Sequence, residues 1–323
     1  WKNSIIDFSV FIAVALSSDP AFPCTTFQVS NVNEKLVAHN YDYFGEYDQA
    51  VAVVNKRHVS KHSIIPPGAG SPLSWTSQYG SLTLTQFGPE FPIGGMNEKG
   101  LVVETMVLDG SGEISSDDPR PAVNELQWIQ YILDTSTNVG SAIEQARKTR
   151  VKSFMQKLHY LVCDAQGECA SFEVLNGKLV IHRGRDLIPA ALTNDRYDFS
   201  RNVYDESQCR ENFQIHDNSL QRFVTSARES KAITESTPDP VAAVFNILDT
   251  VAQRGTGRAL GHEIWTTWSV VHDPVGRRIN VKTRTAPEPR RIEFSQFNWN
   301  CTAPTLTLDL NTKGDFSEYS RSA

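Results

Sequence analysis

The apolar positions of the chain gather mostly into short runs rich in β-branched and aromatic residues. "TTFQVS" from Thr25, "KLVAHNYDYF" from Lys35, "AVAVVN" from Ala50, "SLTLTQF" from Ser81, "GLVVETMVL" from Gly100, "LHYLVC" from Leu158 and "CASFEVL" from Cys169 all have strand length, with tight-turn chemistry between several of them. They predict antiparallel sheets. A second texture spaces its apolar residues three and four apart behind a polar or proline start. It predicts helices in "PAVNELQWIQYILD" from Pro121, "SAIEQARKTR" from Ser141, "SLQRFVTSARES" from Ser219 and "DPVAAVFNILDTVAQ" from Asp239. Strands return in "WTTWSVVHD" from Trp265 and "RRINVKT" from Arg277, joined as a hairpin by "PVG". Groups of strands alternating with groups of helices predict an α+β fold rather than a parallel sheet.

Ahead of the first strand the texture differs. "WKNSIIDFSVFIAVALSSDPAFP" combines Lys2, an apolar stretch from Ile5 to Leu16 broken by Asp7 and Ser9, and small residues at Ala13 and Ala15. This is the layout of a secretory signal peptide, too short for the ~20 apolar residues of a membrane span. Cleavage after Ala15 would leave the tail "LSSDPAFP" before Cys24. The expectation is that residues 1–23 are a signal peptide and propeptide that are removed, leaving 24–323 as one domain in the periplasm or outside the cell. The alternative is an ordinary amphipathic first helix.

With 323 residues, 40% apolar and 21% charged, the chain has the composition of a soluble domain, and its formal charge of −6 without a basic block argues against a nucleic-acid surface. A small molecule is the expected partner. Of the five cysteines, Cys163 and Cys169 flank "DAQGE". A three-residue turn of Ala165, Gln166 and Gly167 would set them opposite each other, close enough to bridge in an oxidising compartment. Cys209 and Cys301 form the remaining pair, and Cys24 is the odd one out. No metal site is expected: "CDAQGEC" has no partner cluster and "LGHE" lacks a second nearby histidine.

Cys24 stands at the seam between leader and domain. As an N-terminal residue it would carry nucleophile and base together, its α-amino group of pKa about 7.7–8.0 serving a thiol of about 8.5. A hairpin loop centred on Asn33 sets Cys24 opposite Asp42, on one face. The bland alternative is a small buried hydrophobe.

From Cys24 to about Arg291 the chain resembles the choloylglycine hydrolase and penicillin V acylase family of N-terminal-nucleophile amide hydrolases. The resemblance rests on "CTTF", "HNYDYF", "GGMNEKGLVVE", "LQWIQYILD", "ALTNDRYDFS", "SLQRFVTSAR" and "TTWSVVHD", in that order. It implies a four-layer αββα fold of two stacked antiparallel sheets between helical layers. It also implies autoproteolytic exposure of Cys24 and hydrolysis of a linear, non-peptide amide through a Cys24 thioester. No cofactor is implied; a homo-oligomer, in particular a tetramer, is. The substrate class is an amide with an apolar acyl group: phenoxyacetyl amides, bile conjugates, N-acyl homoserine lactones or N-acylethanolamines.

Position by position, the resemblance gives Cys24 the role of nucleophile. Asp42 becomes the carboxylate on its amine and thiol, Asn194 the oxyanion-hole side chain, and Arg222 a site arginine. An amide suits Asn194's role because it offers N–H without titrating. Ser219 reads as the N-cap of Arg222's helix, which would place a cation in the first turn and call for a carboxylate such as Asp42. Two positions depart from the family pattern. His39 stands where an arginine is common beside the nucleophile, which makes it a possible site residue. Val107 replaces an asparagine of bile-salt-cleaving members, though it keeps the backbone N–H that serves the oxyanion hole. Two other readings compete: an unprocessed, non-catalytic binding protein on the same fold, and a papain-like thiol hydrolase, for which His39 is the one histidine placed near Cys24.

Overall fold

The computed structural model describes residues 23–319 except 109, 111, 211, 212 and 260. The leader expected over residues 1–23 therefore lies outside the described residues apart from Pro23. The first described elements are strand β1 (Thr25–Val29) and strand β2 (Leu36–Phe44), an antiparallel hairpin. All nine residues of β2 are buried, so the strand reads as a nearly continuous run instead of an alternating one. The ladder pairs Thr25 with Asn40 and Val29 with Leu36. Continued by one step it sets Cys24 opposite Tyr41, not Asp42. The loop is one residue shorter than expected because Lys35 takes a left-handed conformation, φ 54°, and closes it with an N–H bond to Val32 O of 3.3 Å. A slip of one residue exchanges the faces of a strand. Asp42 thus shares the helix-side face with Thr25 and Asn40, while Cys24 shares the other with Tyr41 and His39.

Among the described residues, β1 and β2 sit inside a seven-stranded antiparallel sheet. It runs Ala191–Leu192, β1, β2, His262–Asp273, Arg278–Thr283, Arg290–Glu293, with Arg254–Ala259 also pairing to His262–Asp273. A second, nine-stranded antiparallel sheet runs from Lys178–Arg183 through Cys169–Leu175, Leu158–Cys163, Val102–Val107, Gly94–Asn97, Ser81–Thr85, Val51–Asn55 and Leu306–Asp309 to Ser317–Glu318. The two sheets face each other where β1 meets Val102–Val107. Helices α1 (Glu125–Thr135) and α2 (Val139–Arg147) cover the nine-stranded sheet. Helix α3 (Tyr197–Cys209) packs on α4 (Asn218–Ala232), which with α5 (Pro240–Thr250) covers the seven-stranded one. This is the four-layer α+β architecture expected from the sequence.

Local chemistry sets the helix starts. The helix expected from Pro121 begins at Glu125, because Asn124 caps it by accepting the Leu126 and Gln127 N–H groups, and Ala122–Asn124 is instead a strand parallel to Arg150–Lys152. Asn138 caps α2 in a reciprocal pair with Ser141. Asp217, not Ser219, caps α4, with its carboxylate on Leu220 N at 3.0 Å. The hairpin between Leu158–Cys163 and Cys169–Leu175 forms as expected. Gly167 takes φ 87°, Cys163 pairs with Cys169 in the ladder, and a disulfide joins them. Cys209 and Cys301 are not a pair; both are exposed free thiols.

Candidate active site

Cys24 lies at the start of β1, 2% exposed, with its thiol against the backbone of Asp42, whose N–H points to Sγ at 3.5 Å. Burial pushes the thiol well above its ordinary range, and the charge of Asp42 adds to this. The Asp42 N–H and the Arg222 guanidinium pull the other way without prevailing. A cysteine in this state is protonated and a poor nucleophile until a base is brought to it.

Asp42 is fully buried and is pushed up to about 7 by burial, against the restraint of Arg222 and of a hydrogen bond from Thr266. Thr266 Oγ1 donates to Oδ1 at 2.5 Å and itself accepts Gln253 N–H at 2.8 Å. That geometry comes from a bulge in the strand His262–Asp273, where Thr266 pairs with Asp42 but Trp268 pairs with Tyr41. The second carboxylate oxygen, Oδ2, is buried and has no hydrogen-bond partner among the described residues. A buried acceptor left unpaired is costly, about 1–3 kcal/mol and more for a charged group.

Arg222 ties the rest together from α4. Its Nη1 donates to Cys24 O and, at 2.7 Å, to Thr25 Oγ1; Nη2 donates to Asn194 Oδ1 at 2.8 Å, and Nε to Asn218 Oδ1 at 2.9 Å. The guanidinium is 4% exposed, and Asp42 acts on it through space, not by the direct ion pair the sequence suggested. Asn194 in turn donates through Nδ2 to Val107 O at 2.9 Å, and its backbone N–H goes to Ser219 Oγ at 3.0 Å. Ser219 therefore anchors Asn194 instead of capping α4. The structure thus brings Cys24, Asp42, Asn194, Arg222 and Val107 into one connected set.

His39 stands apart from that set. Its Nδ1 is 2.6 Å from Thr26 Oγ1 and its Nε2 lies 3.6 Å from Glu104 Oε2, with His272 on the other oxygen of Glu104 at 2.6 Å. Burial holds His39 below its ordinary pKa, with Glu104 opposing. Among the described residues no hydrogen bond or ion pair joins it to Cys24, so it offers no local base to a papain-like mechanism.

Cys24 opens onto an apolar cavity walled by Tyr41, Tyr43, Phe87, Met106, Leu126 and Met155. Val107 also lines it, so the nucleophile candidate and the strand bonded to Asn194 share one apolar space. One wall is held by Glu125, the first residue of α1, whose carboxylate accepts the N–H groups of Phe154, Met155 and Gln156 at 2.8, 2.6 and 3.2 Å. Among the described residues no cluster of three or more His, Cys, Asp or Glu is placed to hold a metal, and no helix is long and apolar enough to cross a membrane.

Residues 24–230 match the family of linear amide C–N hydrolases called the choloylglycine hydrolase family. The chain belongs to that family. Penicillin V acylase of Pectobacterium atrosepticum is a relative, 27% identical over 205 residues, which are 57% of this chain and 53% of that one; the chain spans about half the length of this curated relative. The fold is shared with penicillin V acylase of Agrobacterium tumefaciens, at a TM-score of 0.75 and 24% identity over 88% of this chain and 91% of that one. It is shared too with a variant of conjugated bile acid hydrolase from Clostridium perfringens, at 0.72 and 16% over 93% and 97%. The match to the family begins at Cys24. Sequence reasoning missed Thr266, Ser219 and Glu125. Nothing in the sequence distinguishes two hydroxyl residues and a helix-start glutamate from their many ordinary counterparts.

Proposed function

We propose that the chain is an amide hydrolase whose nucleophile is Cys24, freed as an N-terminus by removal of residues 1–23. The observation that carries this is the unpaired, buried Oδ2 of Asp42, on a carboxylate whose charge reaches the Cys24 thiol and whose backbone N–H points to it, an acceptor open to an N-terminal amine. The amine takes the thiol proton, and the sulfur attacks the carbonyl carbon of a linear amide. The tetrahedral oxyanion is met by Asn194 and the Val107 backbone N–H. Collapse breaks the C–N bond, the proton passes to the leaving amine, and water then hydrolyses the thioester to release the carboxylic acid. Arg222 keeps Cys24 O, Thr25 and Asn194 in register throughout.

The acyl group belongs in the apolar cavity, whose Tyr41, Tyr43 and Phe87 favour an aromatic or extended aliphatic chain. Penicillin V is the first substrate to try, followed by N-acyl homoserine lactones, N-acylethanolamines and conjugated bile salts. Release of free amine by the parent and none by Cys24→Ala supports the proposal. No release from any of the four classes by protein beginning at Cys24 favours the non-catalytic binding protein instead. The oxidising location, which rests on the leader, and assembly into a homo-oligomer, which rests on the family resemblance, belong to the same proposal.

A further inference from the structure

Outside the site, between the two sheets, a second buried ionic cluster sits directly behind Asn194. His159, on the strand Leu158–Cys163, is 0% exposed. Its Nε2 lies 2.7 Å from Thr193 O, the carbonyl immediately before Asn194, and its Nδ1 lies 3.1 Å from Glu173 Oε1 on the neighbouring strand. The same Glu173 oxygen accepts the N–H of Tyr197 at 3.0 Å, the first residue of α3, whose N-terminus has no side-chain cap of its own. His182 Nε2 stands 3.5 Å from the other oxygen. Residues 193–197, which contain the "TND" of the site, are therefore gripped at both ends by one buried pair. A third hold comes from Ser219, which bonds both Thr193 Oγ1, at 3.0 Å, and Asn194 N.

The chemistry of the partners sets what the ring must do. Thr193 O is a carbonyl and can only accept. Although burial pushes Glu173 up, the bonds from His159 and His182 outweigh it and bring its carboxyl down to about 2, so it too only accepts. Nε2 of His159 must therefore carry a hydrogen to bond Thr193 O. A ring that donates to that carbonyl and is backed by the buried Glu173 carboxylate fixes the carbonyl far more firmly than packing alone.

We infer that His159 and Glu173 are positioning residues for amide hydrolysis, setting the Thr193–Asn194 segment so that the Asn194 side chain meets the oxyanion. The inference rests on the hydrolase reading above. It follows that truncating the pair should act on turnover through Asn194 more than on substrate binding: neither His159 nor Glu173 lines the acyl cavity, although His159 stands across the ladder from Met106, which does.

The test uses His159→Gln, which keeps one donor, with penicillin V or whichever amide the parent cleaves. The expected result is a kcat lowered about tenfold or more with KM within about twofold, and no further loss when the change is made in Asn194→Ala, whose own cost should be on the order of 10²–10³. Unchanged kcat at any loss of thermal stability overturns the inference, and so does an equal fold loss in the Asn194→Ala background. A second arm does not need turnover. In Cys24→Ala protein with nitrogen-labelled histidine, a protonated Nε2 should be seen for His159, assigned by its loss in His159→Gln. A bare Nε2 there overturns the inference. A parent that cleaves no amide while His159 shows a protonated Nε2 condemns the hydrolase reading and not the clamp.

Discussion

Asp42 concentrates the conflict between stability and chemistry in one side chain. Its carboxyl is held at about 7 in the fold against an ordinary 3.8. Between about pH 4 and pH 7 the native protein therefore keeps a proton that the unfolded chain has lost, and stability falls as pH rises through that window, by up to roughly 4 kcal/mol for a group this buried. Asn in its place copies the neutral form. In protein still carrying Pro23, Asp42→Asn should leave the melting temperature unchanged near pH 4 and raise it at pH 8, while abolishing amide cleavage after processing. Equal melting temperatures of variant and parent at pH 8 would show that Asp42 carries no such penalty. His39 gives the opposite lesson. The sequence offered it as a titrating substitute for an arginine beside the nucleophile, yet it is bonded to Thr26 and kept below its usual range by burial. His39→Gln should therefore give a kcat/KM profile superimposable on the parent from pH 6 to 9, and a lost or displaced limb near neutrality would restore His39 to the site. Cys24, Asp42, Asn194 and Arg222 were legible as a set because the family pattern marks them. Thr266 and Ser219 were not, since only the folded chain shows which hydroxyls face a buried carboxylate or an amide.

At the level of elements, strands buried on both sides were legible and marginal ones were not. Leu36–Phe44 and Leu158–Cys163 bury every residue and announce themselves by composition. Lys178–Arg183 has no fully buried position, and Arg254–Ala259, "RGTGRA", carries two glycines, so neither gives a period-2 signal. Helix α3 escaped for a similar reason, with only Tyr197, Ser200, Tyr204 and Ser207 buried, two of them serines. The hairpin register failed by one because a lysine, not a glycine or asparagine, supplies the left-handed turn residue. The cysteine hairpin was readable because Gly167 closes a three-residue loop between paired positions. Peptide mapping without reductant should recover Cys163 linked to Cys169 and find Cys209 and Cys301 alkylated. Opening the bridge with paired serines should cost about 2 kcal/mol, the entropy of so short a loop. A recovered Cys209–Cys301 link, or free thiols at 163 and 169, would contradict the structure.

The whole molecule presents the proposed nucleophile, complete except for the base that the proposal supplies. Two sheets bring Cys24 over an apolar cavity, a bulge aims Thr266 at Asp42, and α4 carries Arg222 across to Cys24 O, Thr25 and Asn194. With an amide nitrogen at Cys24 the thiol is held high and one oxygen of Asp42 has no donor; under the proposal, a free amine there would answer both. The most direct measurement is the N-terminal residue of protein separated by activity, determined by sequencing and intact mass alongside its turnover of the best amide substrate. Active molecules should begin at Cys24, and those retaining Pro23 should show no turnover above the Cys24→Ala level. Full turnover by protein that still carries Pro23 would contradict the account.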